Sequence, residues 1–312
     1  MTGNKSIWDE VQYQFQSGNM VVRLIYVNLA VFLVFALLRI PLFLFDTGGN
    51  LLGTIRSWVS LSSDPVTALT RPWTIITYQF MHAPLFGGGF LHILFNMLWL
   101  YWFGRILLEF HPQRKVLPLY LVGGVVAGLF FVILYAVFPV FRGETALLVG
   151  ASGSVMAIVL ATATLVPDYS IRLLLIGTVR LKWIALVAVL IDIISIPGGN
   201  TGGNFAHLGG ALFGFLYIYL LRQGTDLLAP VDRFFDTVAG WISRTPRPGR
   251  RRMRVTSSSR RATRSSASAP TSGDDAADQA KVDAILDKIS ESGYDSLTKA
   301  EKDFLFRYSN RS

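Results

Sequence analysis

The chain has 312 residues, of which 52% are hydrophobic and only 16% charged, with a formal net charge of +9. A soluble domain carries about 25% charged residues. Here the apolar residues fall in blocks near the ~20 needed to cross a bilayer, which excludes an ordinary soluble globular protein. The absence of cysteine excludes disulfides and thiolate chemistry.

The first stretch, "MTGNKSIWDEVQYQFQ", lacks the basic n-region and short apolar run of a cleavable signal peptide, so the first hydrophobic helix is expected to insert and stay. Ser6 to Arg23, with Trp8, Tyr13 and Phe15, is expected to lie along the inner interface as an amphipathic helix. Six spans follow. The first covers about Leu24 to Phe45, the second His92 to Leu108 and the third Val116 to Phe138. The fourth, Ser152 to Val166, is short. The fifth lies near Leu173 to Ile196, interrupted by "VRLKW", and the sixth covers Phe205 to Leu221.

Short-loop Lys and Arg set orientation. "HPQRK" follows span two, Arg172 follows span four, and the dense run "RTPRPGRRRMR" follows span six. The opposite loops carry Arg56, Arg71 and Arg142, offset by Asp46, Asp64 and Glu144. The basic side is therefore read as cytoplasmic, with both termini inside. His92, Ser152 and His207, near the starts of spans two, four and six, then share a depth just below the outer surface.

An ionisable residue inside a span is by default a functional hypothesis, because lipid burial is costly. His207 in "NFAHLGGALFGF" is such a residue; taken alone it could equally be a structural histidine bonded to a neighbouring helix. Gly210 and Gly214 follow on its face as a G-x-x-x-G strip, which permits close helix approach. Ser152 stands in "VGASGSVMAI", between Gly150 and Gly153 and ahead of Ser154, Ala157 and Ala161. If the small faces of spans four and six pack, Ser152 and His207 could meet as nucleophile and general base. Alone, the serine motif reads better as an N-cap. His92 and Asn96 project from one face of span two and could stabilise an oxyanion or form a structural pair. A metal bound by His82, His92 and His207 lacks a completing carboxylate or cysteine, so no metal and no cofactor is expected.

Together these motifs resemble the rhomboid family of intramembrane serine proteases, of the bacterial type with a six-span core: H-x-x-x-N (His92, Asn96), G-x-S-G (Gly150, Ser152, Gly153) and A-H-x-x-G-x-x-x-G (Ala206, His207, Gly210, Gly214). The resemblance implies an all-α polytopic membrane bundle with a Ser152–His207 catalytic dyad and no acidic third member. It implies an oxyanion site from the Ser152 N–H, Asn96 and His92, and helix packing through Gly153, Gly210 and Gly214. The short fourth span would set the serine at the bottom of a water-filled cavity open to the outside. Transmembrane proteins are the implied substrates, cut near the outer face of a bacterial cytoplasmic membrane. The alternative is a non-catalytic rhomboid-like protein that binds membrane clients.

Residues 46–91 resemble the family's membrane-embedded first loop. Trp73 matches the tryptophan of its Trp-Arg pair, with Thr74 in the arginine's place. His82 resembles a structural histidine of that loop, with "LFGGG" lengthening the gap to His92. Glu109 sits one residue off its expected position. Met156 occupies the position where several relatives carry a tyrosine that stacks on the histidine, so another group has to orient His207. Asp192 reads as structural, partnered by a backbone amide or a polar group of "PGGNTGGN"; Asn204 either lines the cavity or caps its helix.

The domain reading is a cytoplasmic N-terminal segment (1–22), the membrane core (23–222), a basic polar linker (223–280) and a C-terminal helical hairpin (281–312). The Arg-rich linker would attract anionic lipid headgroups, and the membrane context argues against nucleic acid. In the hairpin, Val282, Ile285, Leu286 and Ile289 keep helical spacing, Gly293 breaks it, and Thr298 with Glu301 forms a capping box.

Overall fold

The structure, a computed structural model, describes residues 12, 15–45, 51–173, 177–242 and 273–309. Residues 6–11, 13 and 14 of the expected N-terminal interfacial helix, and the Arg-rich run from Arg244, lie outside the described residues. The described chain divides into two units, Met1–Pro248 and Gly249–Ser312.

The first unit is a helical bundle. Helix α1 (Met20–Phe45) is predominantly apolar, broken by Arg23, Asn28 and Arg39, and about 39 Å long; it leaves Leu33, Val34 and Leu37 more than half exposed. The first loop then folds into α2 (Leu51–Val59), strand β1 (Leu61–Ser62) and the short helices α3 (Pro65–Thr70) and α4 (Thr74–Thr77). A 3-10 turn (Tyr78–Phe80) and a π-helical turn (Leu85–Gly89) lead into α5 (Phe90–Phe110). Helix α6 (Val116–Val137) follows, then β2 (Leu147–Leu148), which pairs antiparallel with β1. Helices α1, α5, α6 and the later α9 are long and apolar enough to cross a membrane.

Helix α7 (Ser152–Leu165) has 14 residues, about 21 Å, and falls short of a ~30 Å hydrocarbon core. It is central and mostly buried. The hairpin β3 (Ser170–Leu173) and β4 (Gly177–Arg180) precedes α8 (Leu181–Ile194). The fifth span is therefore shorter than the hydropathy suggests, because the apolar residues around 173 start a two-stranded ribbon. Helix α9 (Thr201–Arg222) closes the bundle. Among the described residues the architecture is all-α and polytopic, with four helices long and apolar enough to cross a membrane beside the shorter apolar helices α7 and α8.

Small residues set the packing. A Cβ at Gly210 would lie 2.0 Å from the Gly153 carbonyl oxygen, and one at Gly214 would lie 2.1 Å from that of Ala157. On the other side of α7, a Cβ at Gly123 would lie 2.4 Å from Ala157 Cβ. Helix α7 thus meets α9 at backbone contact and α6 at the Ala157 methyl, the close approach that small-residue faces allow.

The segment read as linker contains helix α10 (Ala229–Ile242). Asp232 on this helix and Asp226 before it both accept hydrogen bonds from Lys115 Nζ, ahead of α6, and His111 Nε2 pairs with Tyr217 Oη at 2.8 Å. In the second unit, α11 (Gly273–Ser292) and α12 (Lys299–Ser309) flank a turn through Gly293 at φ +80°. Thr298 N–H donates to Glu301 (2.7 Å) and Lys288 Nζ donates to the same carboxylate (2.9 Å).

Candidate active site

Ser152 opens α7, the helix end that carries the unpaired backbone N–H groups and the positive end of the helix dipole. The approach to it is constrained. Gly150 has φ +127°, a region closed to most side chains, and a Cβ there would lie 2.8 Å from His92 Cε1. Its N–H donates to Tyr78 O (3.0 Å). Glycine is therefore required at 150 both for the turn and for the imidazole that lies against it.

The floor beneath Ser152 is a buried polar network from the first loop. Tyr78 Oη donates to Gly124 O (2.6 Å), and Gln79 Nε2 donates to Ile75 O (2.9 Å) and Leu121 O (3.3 Å). Ser154 Oγ donates to Gln79 Oε1 (3.1 Å), and Tyr120 Oη donates to Gln79 O (3.1 Å). Nothing local in the sequence marks these partners, because every contact but the Gln79–Ile75 bond spans more than forty residues. Elsewhere in the loop, Trp73 stacks on Trp58 at 5.8 Å and donates to its carbonyl at 2.8 Å. The cation over that pair is Arg71, 4.5 Å above the Trp58 ring.

A cavity of about 400 Å³ lies between α5, α7, α8 and α9. It is lined by His92, Asn96, Ser152, Asp192 and His207 among apolar residues that include Met156. The four residues singled out as catalytic or oxyanion groups thus face one space, although no hydrogen bond joins Ser152 to His207. Asn96 is buried and donates one amide hydrogen to His92 O (2.8 Å), which leaves its second N–H for another acceptor. His82 stands 5.6 Å from His92, ring to ring. Burial, aided by the His92 charge and opposed by the Phe80 carbonyl, pushes His82 down to about 4, so it is neutral at physiological pH. A larger cavity of about 730 Å³, between α1 and the first loop, contains neither Ser152 nor His207.

Two polar residues are placed differently from the sequence reading. The partner of Asp192 is neither a backbone amide nor the glycine-rich loop: His207 Nδ1 meets Asp192 Oδ1 at 2.7 Å. An acidic neighbour therefore stands at the histidine, where the resemblance implied none. Asn204 Nδ2 donates to Ser195 O (2.7 Å), tying α9 to the end of α8.

A profile of the Rhomboid domain matches residues 69–224, half of the chain. Residues 273–311 match a family of unknown function. The chain is similar to Presenilin-associated rhomboid-like protein A, mitochondrial, of Danio rerio, with 28% identity over 196 residues, 60% of this chain and 48% of that protein. It is also similar to RHOMBOID-like protein 12, mitochondrial, of Arabidopsis thaliana, with 32% identity over 165 residues, 49% of this chain and 48% of that protein. The matched segments span about half the length of each relative. With the domain match covering the helices that wall the cavity, the chain belongs to the rhomboid family.

Proposed function

We propose that this rhomboid protein is an intramembrane serine endopeptidase using Ser152 and His207. The observation that carries this reading is the single cavity lined by Ser152, His207, His92 and Asn96, with the serine at a helix N-terminus. Ser152 Oγ attacks the scissile carbonyl carbon while His207 Nε2 takes its proton. The oxyanion that forms is met by the Ser152 N–H, the free amide hydrogen of Asn96 and a His92 ring N–H, donors aimed where charge develops. His207 then gives the proton to the leaving amine as the C–N bond breaks. Water, deprotonated by the same imidazole, releases the acyl group and regenerates the serine.

The substrates are transmembrane proteins, whose chain reaches the cavity by unwinding near the outer face. The reading sets the protein in a bacterial inner membrane with both termini on the cytoplasmic side, an orientation that the short-loop charge supports, and has the Arg-rich segment after α10 engage anionic headgroups. Purified protein in liposomes should cleave a transmembrane reporter, and Ser152→Ala or His207→Ala should abolish cleavage with folding intact. A wild type that binds such segments without cutting them would instead make the protein a non-catalytic client binder.

A further inference from the structure

An aspartate within an apolar helix is costly unless it has a partner. Asp192 is only 8% exposed, and its carboxylate meets His207 Nδ1 at 2.7 Å. A carboxylate oxygen can only accept, so the shared hydrogen sits on Nδ1. The other ring nitrogen, Nε2, then carries the lone pair on the cavity side, the state a general base needs. Where an imidazole can rotate or swap tautomers, part of its population presents an N–H to the nucleophile and cannot take a proton.

The two helices are fastened so that this contact is held. Asn204 donates to Ser195 O at 2.7 Å, one turn from the His207–Asp192 pair on both helices. Thr201 Oγ1 donates to Ile196 O (2.7 Å) and Gly198 O (3.0 Å), closing the α8–α9 turn. The hairpin therefore carries two successive cross-helix bonds, one to backbone and one to the imidazole. Met156, which also lines the cavity, has a thioether that is only a weak acceptor and offers no comparable anchor.

We propose that Asp192 is the positioning residue for His207, acting from α8 as a third member behind the serine and histidine. This rests on the hydrolase reading above. Asp192 does not touch substrate; it fixes the tautomer and direction of the imidazole and stabilises the imidazolium formed when Ser152 is deprotonated.

The test uses the full chain in liposomes and three variants, Asp192→Asn, Asp192→Ala and Asp192→Glu. Orienting the base is expected to matter by roughly 10²- to 10⁴-fold, the range of general acid–base catalysis. Asp192→Asn and Asp192→Ala should lower kcat by that factor with KM within about twofold, and Asp192→Glu should recover part of the loss. A ¹⁵N-histidine spectrum, with the His207 signal identified by its absence in His207→Ala, should show Nδ1–H in the wild type. The spectrum should shift toward the other tautomer in Asp192→Asn. A fully active Asp192→Asn or Asp192→Ala, or a His207 tautomer unchanged by either, would overturn the proposal. If the wild type does not cleave the reporter, the hydrolase reading is what fails, and the tautomer spectrum alone then decides whether Asp192 sets the imidazole. Should Asp192→Ala misfold, Asp192→Asn and Asp192→Glu carry the comparison.

Discussion

Gly210 offers a test in which one methyl group reports on both packing and chemistry. In Gly210→Ala the new Cβ would lie 2.0 Å from Gly153 O, 2.9 Å from its carbonyl carbon and 3.3 Å from its Cα. The obstacle is backbone, which cannot rotate aside. Real Cβ contacts stay above 3.0 Å, so α9 must retreat from α7 by about 1 Å. Gly210 lies one turn beyond His207, and Gly153 adjoins Ser152, so that retreat enters the nucleophile–base separation directly. A 1 Å misplacement costs on the order of 10²-fold in rate, and overpacking costs about 1–3 kcal/mol of stability. The assay is reporter cleavage in liposomes beside a thermal unfolding midpoint. Gly240→Ala serves as control, since nothing lies within 4 Å of a Cβ there and helix propensity favours alanine by about 0.5–1 kcal/mol. A Gly210→Ala protein with wild-type turnover and midpoint would refute the packing argument.

Gln79→Leu should lower the thermal midpoint, because it strips the acceptor from buried Ser154 Oγ and the donor from Leu121 O; each unpaired group costs about 1–3 kcal/mol, and an unchanged midpoint would contradict the network. Lys115→Met should destabilise the first unit by about 1–3 kcal/mol, less than the 3–5 of a fully buried pair, since Asp226 and Asp232 are 28% and 23% exposed at the side chain. Burial lifts the Asp226 carboxyl, but the Lys115 ammonium and the Leu228 N–H outweigh it and hold the group below its ordinary 3.8. That contribution is present above pH 3.8 and is lost as pH falls, so unfolding midpoints of wild type and Lys115→Met should converge in acid. Glu301 is held down to about 2 from an ordinary 4.5 by Lys288, then by the Thr298 N–H and hydroxyl. Its capping contribution is full above about pH 4.5 and disappears toward pH 2, and a ¹³C carboxyl titration of Glu301 with a midpoint near 4.5 would contradict the cap.

The long spans are readable because each is predominantly apolar over its length, and α9 announces its close contact by the fixed spacing of Gly210 and Gly214. The fifth span misleads, because Leu173 and its neighbours are as apolar as any membrane helix. Only the β3–β4 pairing and the positive φ of Gly177 reveal a ribbon there. Helix α10 is hidden by Asp232, Arg233 and Asp236, which lower its mean hydropathy while leaving an apolar face. At the cavity, motif residues are recognisable from residue type and spacing. The groups that support them are not: Gln79 reaches Ser154 across seventy-five residues, and Asp192 reaches His207 across two helices. Such contacts are decided by tertiary packing, and no local periodicity records them.

The central claim is that Ser152 is a nucleophile activated by His207. It is tested most directly by fluorophosphonate labelling of the purified protein in liposomes, with the modified residue located by mass spectrometry. The account predicts one adduct, on Ser152, absent in Ser152→Ala and suppressed in a folded His207→Ala. Labelling elsewhere, or labelling of Ser152 at the wild-type rate without His207, would contradict it.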